Sequence, residues 1–87
     1  MNAAAEHDVL ADMAKIEKTL TDDLAGDRAR SILAYFDDVA KASEEVMKQP
    51  GPDAERQLAS QLLEGFRASQ RIVRHVWETL HSASLPA

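Results

Sequence analysis

The chain has 87 residues, with ten Lys and Arg against fifteen Asp and Glu, and no Cys. That length allows one domain, 1–87, with a modest core, and the missing thiols exclude disulfides and thiolate metal sites. A net charge of −5 with acids spread along the chain argues against a nucleic-acid surface, and no apolar run nears the roughly 20 residues of a membrane span.

Residues 1–4 are expected to fray. The N-terminal stretch has acids and no basic n-region or apolar h-region, so it does not read as a secretory signal, and a soluble, cytoplasmic protein is expected. Val9, Met13, Ile16 and Leu20 then recur at helical spacing, which predicts a first amphipathic helix over 5–19. Thr21-Asp22-Asp23 is a helix-start signal, and Gly26-Asp27 is a competing one. The unbroken series Ala25, Ala29, Ile32, Phe36, Val39, Ser43 and Val46 favours the earlier start and predicts a second helix over 21–49, with Gly26 inside it at a cost of about 1 kcal/mol. Leu33, Ala40 and Met47 form a line beside that series.

Gln49-Pro50-Gly51-Pro52 is the strong break. Pro50 disfavours helical geometry at Gln49, and so short a connection makes the flanking helices antiparallel neighbours. Asp53 is read as the cap of a third helix over 53–82, and residues 82–87 as a tail. In that helix Leu58, Leu62, Phe66, Ser69, Val73, Val76 and Leu80 step by fours and threes, with Ala59, Leu63, Ile72 and Trp77 on the flank. The fold class is therefore all-α: an antiparallel hairpin of two long helices with a shorter N-terminal helix. Ile32, Phe36 and Val39 are expected to face Phe66, Val73 and Val76.

The candidates for chemistry are few. Glu78-Thr79-Leu80-His81 has the Glu-x-x-His spacing of di-iron bundles, but such sites need a second copy and further inward Glu residues. A surface His near a helix C-terminus is the expected role of His81. His75 precedes Val76-Trp77-Glu78, without the Lys and Gly of a phosphorelay helix. No Ser-His-Asp set, glycine-rich phosphate loop or paired buried carboxylate is recognisable, so catalytic residues, metal ligands and cofactor are all expected to be none, and an enzyme is not expected. Arg67, Arg71 and Arg74 line one side of the third helix, either as a contact for an acidic partner or as a solvated face paired with Glu64 and Glu78. Trp77 either anchors a partner or finishes the core near the first helix.

Both long helices have apolar faces wider than one seam covers. The uncovered remainder marks a partner site, with Leu33, Ala40, Met47, Leu63, Ile72 and Trp77 as the candidate binding residues.

The stretch from Leu62 to Ala83 resembles the C-terminal helix of the type III secretion E-component family (YscE, SsaE, EscE and PscE). The points of likeness are Leu62-Leu63-Glu64, the paired Ile72-Val73, the bulky Val76-Trp77 and His81-Ser82-Ala83. Upstream, Ile16-Glu17-Lys18-Thr19-Leu20 resembles that family's short N-terminal helix, and a Pro-containing hairpin follows. The resemblance implies a helical-hairpin co-chaperone without a cofactor. Its partners would be a tetratricopeptide-like helical-repeat protein and the needle subunit, held unpolymerised in the bacterial cytoplasm, with a homodimer when the partner is absent. The alternatives are the needle subunit itself, whose Pro-x-x-Pro turn differs from Pro50-Gly51-Pro52, and a free-standing helical regulatory module.

Overall fold

The computed structural model describes residues 3–86, with side-chain environments from Asp8 to Pro86. Four helices follow in order: α1 (Ala3–Ala14), α2 (Ile16–Asp22), α3 (Asp27–Lys48) and α4 (Asp53–His81). Among the described residues there is no strand. The expected fraying of residues 1–4 lies partly outside the described residues, and Ala3 and Ala4 are helical.

α3 and α4 form the hairpin. Their contacts run in opposite order along the two helices: Phe36 meets Phe66 with ring centroids 5.5 Å apart, Asp37 meets Arg67, and the Leu33 carbonyl meets Gln70. Antiparallel packing across the expected break is therefore present. Gln49 is extended at φ −87° and ψ 148°, as the residue before a proline prefers. The long axis of the molecule is 44 Å, close to the roughly 43 Å of a 29-residue helix at 1.5 Å per residue. Pro52, rather than Asp53, stands at the N-cap of α4. Asp53 and Glu55 instead occupy its first turn, where carboxylates favour the positive end of the helix dipole.

The first expected helix, 5–19, is two helices. Lys15 leaves helical geometry at φ −130° and ψ 44°, although neither Gly nor Pro is nearby. The break is held through the Asp12 carbonyl, which accepts the Lys15 N–H at 3.2 Å and the Thr19 hydroxyl at 2.9 Å. It lets Val9 and Met13 on α1 and Leu20 on α2 all reach the core over one end of the hairpin. Ile16, on the expected stripe, is left exposed. Arg28 of α3 ties α1 down through a 2.6 Å ion pair with Asp12.

The second long helix starts at Asp27 and not at 21. Gly26 adopts a left-handed conformation, φ 81°, outside the helix. A Cβ there would meet Leu85 Cδ1 at 2.6 Å, so backbone angle and packing both demand glycine. The cap comes from Asp23, whose buried carboxylate accepts the main-chain N–H groups of Arg28 at 3.2 Å and Ala29 at 2.9 Å. These are two of the donors that the first turn of a helix leaves without partners.

The C-terminal segment is part of the fold rather than a tail. Ser82 turns the chain in a left-handed C-cap at φ 49°. Leu85 then tucks into the core, its N–H donating to Glu78 Oε2 at 2.8 Å, and the Pro86 carbonyl accepts from Arg30 at 3.3 Å.

The seam differs in part from the expectation. Ile32, Phe36 and Val73 are in the core, Phe66 packs against it, and Val39 is half-buried. Val76 is exposed and Trp77 takes the inward place. The inward stripe of α4 draws on both expected lines, Phe66 and Val73 from the first and Ala59 and Trp77 from the flank, which takes the two aromatic side chains of the helix out of water.

Candidate functional site

At about 100° per residue the apolar side chains of α4 separate into two stripes. Ala59, Phe66, Val73 and Trp77 point at the rest of the fold. Roughly a quarter turn away lie Leu58, Leu62, Ile72, Val76 and Leu80, all exposed, with Gly65 and Ser69 completing the line. These seven positions step by four, three, four, three, four and four and fall within an arc of roughly 80°. Leu58 is 57% exposed and Ile72 63% exposed, values far from those of a core leucine or isoleucine. The stripe runs almost the whole length of α4 and is the most extended unpartnered apolar surface among the described residues. Leu10, Leu24 and Val46 are further exposed apolar side chains on other segments.

The six residues expected at a partner site divide. Leu33, Ala40 and Trp77 are buried; Trp77 is 2% exposed and donates its indole N–H to the Asp23 carbonyl at 2.8 Å. Met47 and Leu63 are half-buried. Ile72 alone lies on the open stripe. The line Leu33, Ala40 and Met47 runs along the inner face of α3 beside Ala29, Phe36 and Ser43, so it meets α4 rather than solvent. Of the two roles open to Trp77, the structure places it in the core.

Of the series that steps by fours and threes along this helix, Leu58, Leu62, Val76 and Leu80 face outward, and Val76 alone among them was expected on the seam. One signal for this was present: Gly65 and Ser69 continue their line at the correct step, and small residues midway along an apolar stripe mark a place where another backbone can come close.

The arginines do not act as a set. Arg67 spans the hairpin, reaching Asp37 on α3 at 2.7 Å and Glu44 at 3.4 Å, rather than Glu64 on its own helix. Lys41 meets the other Asp37 oxygen at 2.8 Å. Lys41 first and Arg67 second hold the Asp37 carboxyl below its ordinary value. Arg71 and Arg74 are exposed and enter no ion pair among the described residues.

His81 and Glu78 serve the fold. His81 Nε2 lies 2.6 Å from the Leu20 carbonyl, and since a carbonyl only accepts, that nitrogen carries the proton. The imidazole also stacks on Trp77, with ring centroids 4.4 Å apart. Glu78 is engaged by the Leu85 N–H. Among the described residues no three His, Cys, Asp or Glu side chains gather as metal ligands, and no helix is long and apolar enough to cross a membrane.

The family described as type III secretion system regulatory protein HrpD6 matches residues 2–79. The chain belongs to the HrpD6 family. No curated protein and no solved structure matches. HrpD6 membership places the chain with type III secretion, the machinery to which its resemblance points, through a family other than the E components. The span shared with HrpD6 takes in α1 to α3 and α4 as far as Thr79. It therefore includes every position of the outer stripe except Leu80.

Proposed function

We propose that this HrpD6-family chain is a non-catalytic binding protein of a bacterial type III secretion system, acting in the cytoplasm as a co-chaperone. In this role it seats a helical-repeat, tetratricopeptide-like partner on the outer stripe of α4, and the pair helps keep the needle subunit from polymerising. The regulatory description attached to HrpD6 fits such a role, since withholding a subunit governs when a needle grows.

The observation that carries the reading is the exposed stripe Leu58, Leu62, Ile72, Val76 and Leu80. An apolar row at helix spacing, standing on a hairpin whose own core is already closed, is the surface that a helix-in-groove contact requires. Its centre is small at Gly65 and Ser69, which allows close approach.

The test is co-expression of the chain with the helical-repeat chaperone and the needle subunit of its own secretion system. The expected result is a soluble complex containing the needle subunit as a monomer. Filaments formed by the chain alone would identify it as a needle subunit and overturn the co-chaperone role. A chain recovered without either protein would remove the role as well.

A further inference from the structure

The segment after α4 is held as a bound peptide is held. Ser84 and Pro86 are exposed, while Leu85 between them is 6% exposed and sunk into the core cluster against Gly26. The Leu85 N–H donates to Glu78 Oε2 at 2.8 Å, and the next carbonyl, that of Pro86, accepts from Arg30 at 3.3 Å. One apolar side chain thus fills a seat, a carboxylate reads its N–H, and a guanidinium reads the following C=O. These contacts recognise leucine on a short non-helical segment and ask nothing of the neighbouring side chains.

The seat keeps its shape through contacts that do not involve this strap. Its floor is Gly26, whose N–H donates to the Asp23 carbonyl at 3.2 Å and whose carbonyl accepts the Arg30 N–H at 2.9 Å. Asp23 is fixed by its cap on Arg28 and Ala29 and by the indole of Trp77. Arg30 is aimed by its ion pair with Asp27 and by the Ala25 carbonyl at 3.2 Å. Glu78 is carried on α4.

The strap has few ties of its own. Ser82 turns it at φ 49°, a conformation unfavourable for any residue but glycine, and Ser82, Ala83 and Ser84 are exposed. Beyond the helix cap at the Glu78 carbonyl, its hydrogen bonds to the fold among the described residues are the two from Leu85 and to Pro86. A segment with one anchor and exposed flanks opens at less cost than the whole fold.

We propose that residues 83–86 occupy in cis a socket for a leucine-bearing peptide, and that a partner presenting such a segment takes the socket when the strap swings out about Ser82. Opening frees Glu78 Oε2 and the Arg30 guanidinium, an acceptor and a donor placed for successive N–H and C=O groups. Tethered through Ser82, Ala83 and Ser84, the strap competes at an effective concentration in the millimolar range, which sets the threshold an incoming segment must exceed. The socket uses no residue of the outer stripe of α4 and stands independently of the docking reading.

Leu85→Ser in the full chain empties the seat and keeps the tether. The probe is the pentapeptide Ala-Ser-Leu-Pro-Ala, titrated into the isotope-labelled chain with the Gly26 amide and the Trp77 indole as reporters in nuclear magnetic resonance. The chain has one Trp, so the indole signal is unambiguous. Expected are saturable shifts at both reporters and a raised melting temperature for the variant. Binding to the parent should be weaker by at least about tenfold, because the strap competes there. A peptide with serine in place of leucine should leave both reporters unmoved, and adding Arg30→Ala to the variant should weaken binding. In the parent, the Leu85 amide should exchange with solvent at least about a hundredfold faster than the most protected amides of α3 and α4. A Leu85→Ser chain that unfolds, a folded one whose Gly26 amide does not shift at millimolar peptide, a serine peptide that binds equally well, or a Leu85 amide as protected as the helices would overturn the proposal.

Discussion

The indole N–H of Trp77 donates to the main-chain carbonyl of Asp23, 54 positions earlier, at 2.8 Å. Asp23 meanwhile uses its carboxylate to cap α3, so one buried residue joins the start of α3 to the end of α4. Trp77→Ala is expected to cost about 3–5 kcal/mol, as for other buried aromatic truncations. Trp77→Phe keeps most of the volume but loses the donor, and should cost about 1–3 kcal/mol. Asp23→Ala removes the cap and should cost about 0.5–2 kcal/mol. Urea unfolding of the three variants checks this; a Trp77→Phe chain as stable as the parent would mean that the bond contributes nothing.

Phe36 is buried and Phe66 is half-buried, although their rings touch. Phe36→Ala should therefore lose about 3–5 kcal/mol and Phe66→Ala clearly less, because solvent already reaches the second ring. Thermal melts read the order. Equal losses would place Phe66 as deep in the core as Phe36.

Gly26 stands at φ 81° with Leu85 where a side chain would go. Gly26→Ala meets a left-handed penalty of roughly 1–2 kcal/mol and also displaces Leu85. Combining it with Leu85→Ala relieves the clash but leaves the backbone strain. The double variant is then expected to lose less than the sum of the two single losses. Strict additivity, measured by chemical denaturation, would show that the two residues do not touch.

Asp37 gives the chain a pH-dependent component of stability. Its folded carboxyl titrates below the ordinary 3.8 because Lys41 and then Arg67 favour the charged form. A depressed folded value stabilises at pH above the unfolded value, and that stabilisation is lost as pH falls through the folded value. Asp37→Asn should therefore be less stable than the parent at neutral pH, and the gap should close below pH 3.8. Denaturation of both chains at neutral and strongly acidic pH checks the sign; a gap that widens in acid would contradict it.

The helical class, the Pro50-Gly51-Pro52 hairpin and the span of α4 to within one residue were legible because they rest on local signals: periodicity, proline chemistry and a strong breaker. The break at Lys15 was not, since nothing in the local sequence interrupts a helix there and only the fit of Val9 and Leu20 over the hairpin end explains it. The start of α3 was misplaced because an unbroken apolar series outweighed Gly26-Asp27. The Leu85 contact that settles the matter comes from the far end of the chain. The same limit applies to the site. Two apolar lines a quarter turn apart on one helix are equally periodic, and only the partner surface of α3 decides which turns inward.

The central claim, that the outer stripe of α4 is a docking surface and not core, is tested most directly by Leu62→Glu combined with Ile72→Glu. The double variant would be co-expressed with the helical-repeat chaperone and needle subunit of the same secretion system, and its own thermal melt followed by circular dichroism. Both residues are exposed, so the helical content and folding of the chain should persist while the complex is lost. A variant that unfolds would place the stripe in the core, and a folded variant that still recovers both proteins would contradict the account.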